Sequence, residues 1–453
     1  METRRRDQQS QQEGSPDFPA YLLNLSIRNV RCFGPEEQTL RLSDSKGRPA
    51  QWTVILGDNG VGKTTLLQCL VALEPRRQFI RPRGHVISFA ERPQVELPTN
   101  GGDGWRIYRD QPGETSIRGH LYVGRGLSPA EGPYWTSEVA VPTSSKRGWA
   151  PPDERFFDLR CCGYGATRRM GSAVLNRGPE DPAASLFLDY VTLIDAEEWL
   201  LVEDYARSRG DSGDESERRL ERIKRVLLDL LPDTEDLRIG DKPRAEAQRS
   251  TPSIELKTPY GWVALSDLSL GYRTMIAWAV DLASRLFMLY PRSPNPLAEP
   301  AVVLVDEVDL HLHPKWQRDL RRHLTERFPN AQFVVTAHSP LVAQASENEN
   351  IVVLRREGDH VVIDNDVETV RGWRVDQVLT SDLFGLRSAR PPEYDDLIAE
   401  RNALLSKQTL DTQDRATLKR LESQVVELPA GETPEDLEAM QIIREAAAKL
   451  RNS

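Results

Sequence analysis

The sequence predicts an α/β fold built on a parallel, helix-covered sheet, and three observations carry that prediction. Short, continuously apolar runs, "QWTVILG" (51–57), "AVVLVDE" (301–307) and "AQFVVTAHS" (331–339), have the length and composition of strands buried on both faces. The first two are followed by segments of helical character, "KTTLLQCLVALE" and residues near 315–327. The junction after the first run is a glycine-rich turn, the local chemistry by which strand-to-helix units bind anions.

The elements follow in chain order. Residues 1–18, rich in Gln, Arg, Ser and Gly with few hydrophobes, are expected to be a disordered tail. Strand patterns in "YLLNLSIRNVRCF" and "QTLRLS" lead into "QWTVILG", so residues 21–80 form the first part of the main lobe. Residues 81–260 read as an inserted α+β region. It has Gly/Pro-rich loops at 99–114 and 142–153 and two helices, "DAEEWLLVEDYARS" and "DESERRLERIKRVLLDLL". No sustained heptads run through it, which argues against a long coiled coil. The buried-strand pattern returns in the second part of the lobe, residues 261–370. Residues 371–453 form a C-terminal helical segment, with "PPEYDDLIAERNALLSK" and "TQDRATLKRLESQVVEL" as a helical pair. Thr433 and Pro434 open a final helix that places Leu437, Met440, Ile443, Ala447 and Leu450 on one face.

Composition narrows the function classes. No run approaches the roughly 18–20 apolar residues of a membrane span, and the N-terminal stretch lacks the apolar core of a secretory signal. Cys32, Cys69, Cys161 and Cys162 contain no C-x-x-C pair, which suits reduced thiols in a soluble, cytoplasmic protein. A net charge of -10 does not mark the whole molecule as a nucleic-acid binder. Local patches remain open to that role: Arg76, Arg77, Arg81 and Arg83, with Lys146/Arg147 and Arg168/Arg169, are either a solvated face or contacts for DNA phosphates.

The strongest motif is "GDNGVGKTT", which satisfies G-x-x-x-x-G-K-[ST] between a strand and an apolar helix. In this phosphate loop Gly57, Asp58, Asn59, Gly60, Val61, Gly62, Lys63, Thr64 and Thr65 are the candidate ATP-binding residues. The glycines let backbone N–H groups converge on phosphate oxygens, Lys63 reaches the β and γ phosphates, and Thr64 ligates Mg²⁺. The second motif, "AVVLVDEVDLHLHP", places Asp306 and Glu307 at the C-terminal end of a strand, the edge where open parallel sheets bind ligands. Asp306 is expected to hold Mg²⁺ through water, and Glu307 to polarise the water that attacks the γ phosphate. His311 and His313 lack companions for a metal site, so capping or packing is the better expectation. In the third, "FVVTAHSP", a strand ends beside His338, which is expected to act on the same phosphate.

A fourth stretch, "SDLSLGYRT" (266–274), runs directly into a long apolar helix. Ser269, the Gly271 backbone N–H and the helix dipole make a second phosphate-binding helix start, which a chain that already has one cradle does not need for itself.

These four motifs, in this order, resemble the ABC-type heads of the Rad50, RecF, SMC and OLD group, whose start is similar to "SIRNVRCFG" here. The resemblance covers about residues 21–80 and 260–355. It implies a P-loop NTPase head with a mixed sheet, a catalytic pair Glu307 and His338, a D-loop residue Asp309, and ATP with Mg²⁺. It also implies a homodimer or higher oligomer in which Ser269 and Gly271 face the γ phosphate held by the partner. "YGATRR" (164–169), "DEVDLHLHPKWQ" and "VDQVLTSDLFGLRS" look like the AAA15/21-type ATPases of bacterial antiphage defence, as in Septu-type and retron-associated systems. That likeness implies a slow, regulatory ATPase acting on a separate effector, an HNH nuclease.

The sequence departs from the pattern in two places. No Q-loop glutamine can be placed, Gln78 being too close to the first helix, and Leu270 stands where the signature is more often small or polar. Asp364 and Asp366 form a D-x-D pattern that reads as a strand end or turn. A DNA-binding repair or maintenance ATPase is the competing function. About 200 residues between the first and fourth motifs argue against a membrane-transport subunit.

Overall fold

The three apolar runs lie side by side in the molecule because each is hydrophobic on both faces and needs cover from two directions. The computed structural model describes residues 19–426 apart from 75–78, 81–85, 88–114, 125, 128–133, 141–157, 172–180, 210–212, 232, 244–249, 347–349, 368–371, 387–388, 390–391 and 408–410. The expected tail at 1–18, the final helix near 433–450 and the basic residues Arg76, Arg77, Arg81, Arg83, Lys146 and Arg147 fall outside the described residues, as does Gln78.

The first strands are β1 (Pro19–Arg28), β2 (Gln38–Arg41) and β3 (Trp52–Gly57), followed by helix α1 (Lys63–Ala72). After the two-residue strands β4 (Phe79–Ile80) and β5 (Val86–Ile87) come β6 (Ser116–Val123), β7 (Trp135–Ala140), β8 (Asp158–Leu159) and β9 (Cys161–Tyr164). Helices α2 (Ala196–Arg209) and α3 (Gly213–Leu230) precede a three-stranded antiparallel sheet of β10 (Asp236–Pro243), β11 (Ser250–Thr258) and β12 (Gly261–Ala264). Next are α4 (Leu270–Leu289), β13 (Ala301–Val305), α5 (Pro314–Arg327), β14 (Ala331–Thr336) and α6 (Pro340–Ala345). The hairpin β15 (Asn350–Glu357) and β16 (His360–Asp364) leads to α7 (Val375–Thr380), α8 (Pro392–Leu405) and α9 (Thr412–Val426).

The central sheet is mixed, in the order β16-β15-β3-β14-β13-β9. All neighbours are parallel except the β15–β16 hairpin. Every residue of β13 and β14 is buried, as their composition requires. A second, mainly antiparallel sheet runs β2-β1-β6-β7, with β8 parallel to β1. Residues 81–260 therefore supply β6 and β7 to one sheet and β9 to the edge of the other.

Between these sheets α1 is buried nearly all round, Leu66, Leu67, Leu70 and Val71 included. They share one core with Leu22, Leu25 and Ile27 of β1, Ile117 and Leu121 of β6, and Ile55, Leu304, Val334 and Val352 of the central sheet. One buried polar side chain joins the layers. Gln332, in β14, accepts from Leu22 N at 2.8 Å and donates to Leu22 O at 2.8 Å and Leu42 O at 3.3 Å. The β1–β6 register shifts between Leu22 and Asn24, where the Leu22 backbone turns to this amide.

The chain divides into two compact units between Val378 and Leu379. The first holds all the sheets. In the second, α8 and α9 form the expected helical pair, with Leu404 and Leu421 buried and Lys407 bound to Asp414 at 2.8 Å. Asp364 ends β16 and pairs with Arg355, while Asp366 pairs with Arg41 at 3.1 Å, so both acids have cationic partners. Among the described residues no helix is long and apolar enough to cross a membrane.

Candidate functional site

The site is built where β3, β13 and β14 end on one edge of the central sheet. After β3 the backbone turns through Asp58, Asn59 and Gly60, all exposed, and enters α1 at Gly62. Gly62 has φ 92°, and a Cβ there would lie 2.5 Å from Cys32 Sγ, so neither the backbone nor the space admits a side chain. No side chain caps this helix start, which leaves its first N–H groups to an anion. Lys63 folds back over the loop, its Nζ donating to Gly57 O at 2.7 Å and Asp58 O at 2.8 Å. Burial lowers the Lys63 pKa from its ordinary value, opposed by Asp306, Glu307, Asp58 and Asp309.

Asp306 follows the last residue of β13 and is 5% exposed. A carboxylate so placed needs donors. It accepts from Thr64 Oγ1 at 2.6 Å and from Thr336 Oγ1 at 2.6 Å, which joins α1, β13 and β14 through one side chain. Thr336 Oγ1 also accepts from Glu307 N at 2.7 Å. Glu307 has φ 48° and His311 φ 63°, left-handed conformations that a Cβ disfavours, and the contacts to Glu307 hold it there. Asp309 accepts from His338 N at 3.0 Å, so the turn after β13 is fastened to the end of β14. The His338 ring is exposed at this edge.

Sequence reasoning passed over three contributors. Arg168, grouped above with the basic patches, is only 2% exposed and points inward, where it donates to Asp306 O and, at 2.8 Å, to Glu307 O. That corrects its reading as a DNA contact; Arg169 beside it is exposed. Burial brings the Arg168 guanidinium down to about 10, against the pull of Asp306, Glu307 and Asp309. Arg31 donates to Thr65 Oγ1 at 3.1 Å and buttresses α1 from β1's side. Gln317 donates to the carbonyls of Asp309 and Leu312 and accepts from Ser339 Oγ at 2.6 Å. The signals available were "YGATRR" and the Gln and Ser of "HPKWQ" and "AHSP".

His313 caps α5, its Nδ1 accepting from Lys315 N at 3.3 Å. The "LSLG" stretch does start a helix: Ser269 is the N-cap of α4, its side chain makes no capping bond, and it is exposed with Leu270. Gly271 has a packing reason of its own, since a Cβ there would lie 2.4 Å from His311 O. The helix start is thus pressed against the turn that carries Asp309 and His311. Farther along α4, Asp281 accepts from Tyr164 Oη at 2.9 Å and Arg285, and Tyr164 O accepts from Asp306 N at 2.8 Å. The helix is therefore wired through β9 to Asp306 at the end of β13.

The residues present fit a nucleoside triphosphate with Mg²⁺. A glycine-bounded helix start and a buried lysine suit phosphate, and the hydroxyl–carboxylate pair Thr64–Asp306 is a hard oxygen donor set. The mixed sheet and the order of these features along the chain define an ABC-type head of the P-loop NTPase class. Within that class the chain is similar to a Septu protein and to probable ATPases of retrons.

Residues 24–73 match the family described as AAA domain, and residues 185–343 the family described as AAA domain, putative AbiEii toxin, Type IV TA system. Over 416 residues the chain is 26% identical to the Septu protein PtuA of Bacillus mycoides (strain KBAB4), covering 89% of this chain and 50% of that protein. It is 32% identical over 204 residues to the Retron Ec83 probable ATPase of Escherichia coli, covering 44% of this chain and 34% of that one. Among solved structures, the SMC head domain from Thermotoga maritima is similar over 77% of this chain and 99% of that domain, with 18% identity and a TM-score of 0.38. The chain spans about half the length, or less, of the curated relatives named here.

Proposed function

We propose that this chain is an ATP-binding and hydrolysing regulatory subunit of a bacterial antiphage defence complex. Two copies close head to head around ATP and control a separate effector, an HNH nuclease. The observation that supports it most is the Thr64–Asp306–Thr336–Glu307 chain of hydrogen bonds under the phosphate loop, which joins the residues proposed as metal ligands and base along one sheet edge. The Septu and retron relatives support the defence setting.

In this reading Lys63 exchanges its two loop carbonyls for phosphate oxygens, and the N–H groups at the start of α1 orient the phosphates. Thr64 and Asp306 would hold Mg²⁺, which supplies charge neutralisation on the β and γ oxygens. The Glu307 carboxylate accepts the proton of the attacking water, and the exposed His338 ring contacts the γ phosphate. Arg168 and Thr336 fix the Glu307 backbone from its carbonyl and N–H sides. Ser269 and the N–H groups at the start of α4, exposed and without a side-chain cap, serve the phosphate of the second copy.

Glu307→Gln tests the reading. The variant should bind ATP, lose turnover by two or more orders of magnitude, roughly the size of a general-base contribution, and accumulate as an ATP-bound dimer in light scattering. Unchanged turnover and unchanged self-association would reject the base assignment. Purification of the native complex from its host should recover a second polypeptide with an HNH motif; recovery of the ATPase alone would reject the effector part.

A further inference from the structure

Away from the nucleotide site, a cavity of about 440 Å³ opens between α3, the C-terminal end of α5 and the short turn Pro296–Ala298. Its floor is apolar, formed by the buried Val226 and Leu297, and its rim is cationic, formed by Arg222, Arg225 and Arg327. Glu326 is the one carboxylate in the lining.

The cations of α3 divide into two kinds. Arg219 is paired with Glu203 and Glu215, and Lys224 with Asp236 at 2.7 Å, as on an ordinary solvated helix face. Those turned to the cavity are not balanced this way. Arg222 donates to the Pro294 carbonyl, and Arg225 forms no ion pair among the described residues. Arg218, Arg222 and Arg225 recur at helical spacing on the same side, where like charges repel. Burial and these two neighbours lower the Arg222 pKa from its ordinary value. Across the cavity Arg327, the last residue of α5, pairs with Asp229 of α3.

We propose that this cavity binds a phosphorylated small molecule of about mononucleotide size, with its phosphate on Arg222 and Arg225 and its apolar body on Val226 and Leu297. The volume falls in the range of about 300–1,000 Å³ typical of small-molecule sites, and the planar guanidinium fork matches phosphate oxygens. Glu326 at the rim is an acceptor for ligand hydroxyls. This site stands independently of the nucleotide-hydrolysis reading.

Calorimetric titration of the full chain carrying Lys63→Ala, which disables the phosphate loop, tests it. The probes are AMP, GMP and inorganic pyrophosphate. At least one should bind saturably with one site per chain, more weakly as salt is added. Arg222→Ala/Arg225→Ala should weaken that binding at least tenfold, and Arg225→Lys should weaken it less than Arg225→Ala. Arg225→Ala alone, at an exposed position, gives the same readout should the double variant misfold. No saturable binding of any probe, or binding that the arginine substitutions leave unchanged, would overturn the proposal.

Discussion

Asp306 accepts two hydroxyl donors, and one of them, Thr336 Oγ1, also holds the Glu307 N–H. Thr336→Val keeps the shape of the side chain but removes donor and acceptor together. It should cost about 1–3 kcal/mol of stability for each buried group left without a partner, read as a lowered Tm, and should reduce turnover more than nucleotide binding. The thiols give a second test at this scale. Burial pushes Cys69 and Cys162 up to about 12, and Cys161 is buried as well, whereas Cys32 is half-buried beside the phosphate loop. A thiol reagent near neutral pH should modify Cys32 first, with the other three reacting only on unfolding; prior modification of Cys69 or Cys162 would contradict the packing around α1 and β9. The motif residues were legible in the sequence because short fixed spacings encode them. Arg168 was not, since a charged side chain reads as solvated unless its partners are known, and these lie 138 and 139 positions away.

Elements depend on a few side chains that join layers. Gln332 sits in an otherwise apolar strand and serves both backbone groups of Leu22. Gln332→Leu should therefore destabilise although it makes β14 more hydrophobic. The expected loss is about 1–3 kcal/mol for each orphaned group, measured by denaturant unfolding; a neutral effect would mean that water or a shifted register satisfies β1. Strands β3, β13 and β14 could be read from composition alone. The four residues of β9 are too few to show a period, and its place at the sheet edge is set by pairing with β13, which no local pattern encodes. The β15–β16 hairpin was legible in principle, for Gly358 at φ 59° stands between two apolar runs.

At the scale of the whole molecule, the proposed function makes the helix start at Ser269 and the phosphate loop two half-sites on one chain. Ser269→Arg places a cation and a long side chain on the exposed cap without touching the loop at Lys63. ATP binding by the isolated chain should be retained, while turnover should lose its dependence on protein concentration; full activity would reject the two-copy site. The wiring from α4 through Asp281 and Tyr164 gives such a contact a route to Asp306.

The strand order of the central sheet also governs how the protein comes to exist. Strand β3 is flanked by β14 and β15, both of which lie about 280 or more residues later in the chain. During synthesis β3 leaves the ribosome with two open edges and waits for the long stretch of chain that separates it from β14 before either can pair, a costly closure and an aggregation hazard. The edge that carries the phosphate loop is accordingly completed only after β14 and β15 have been made.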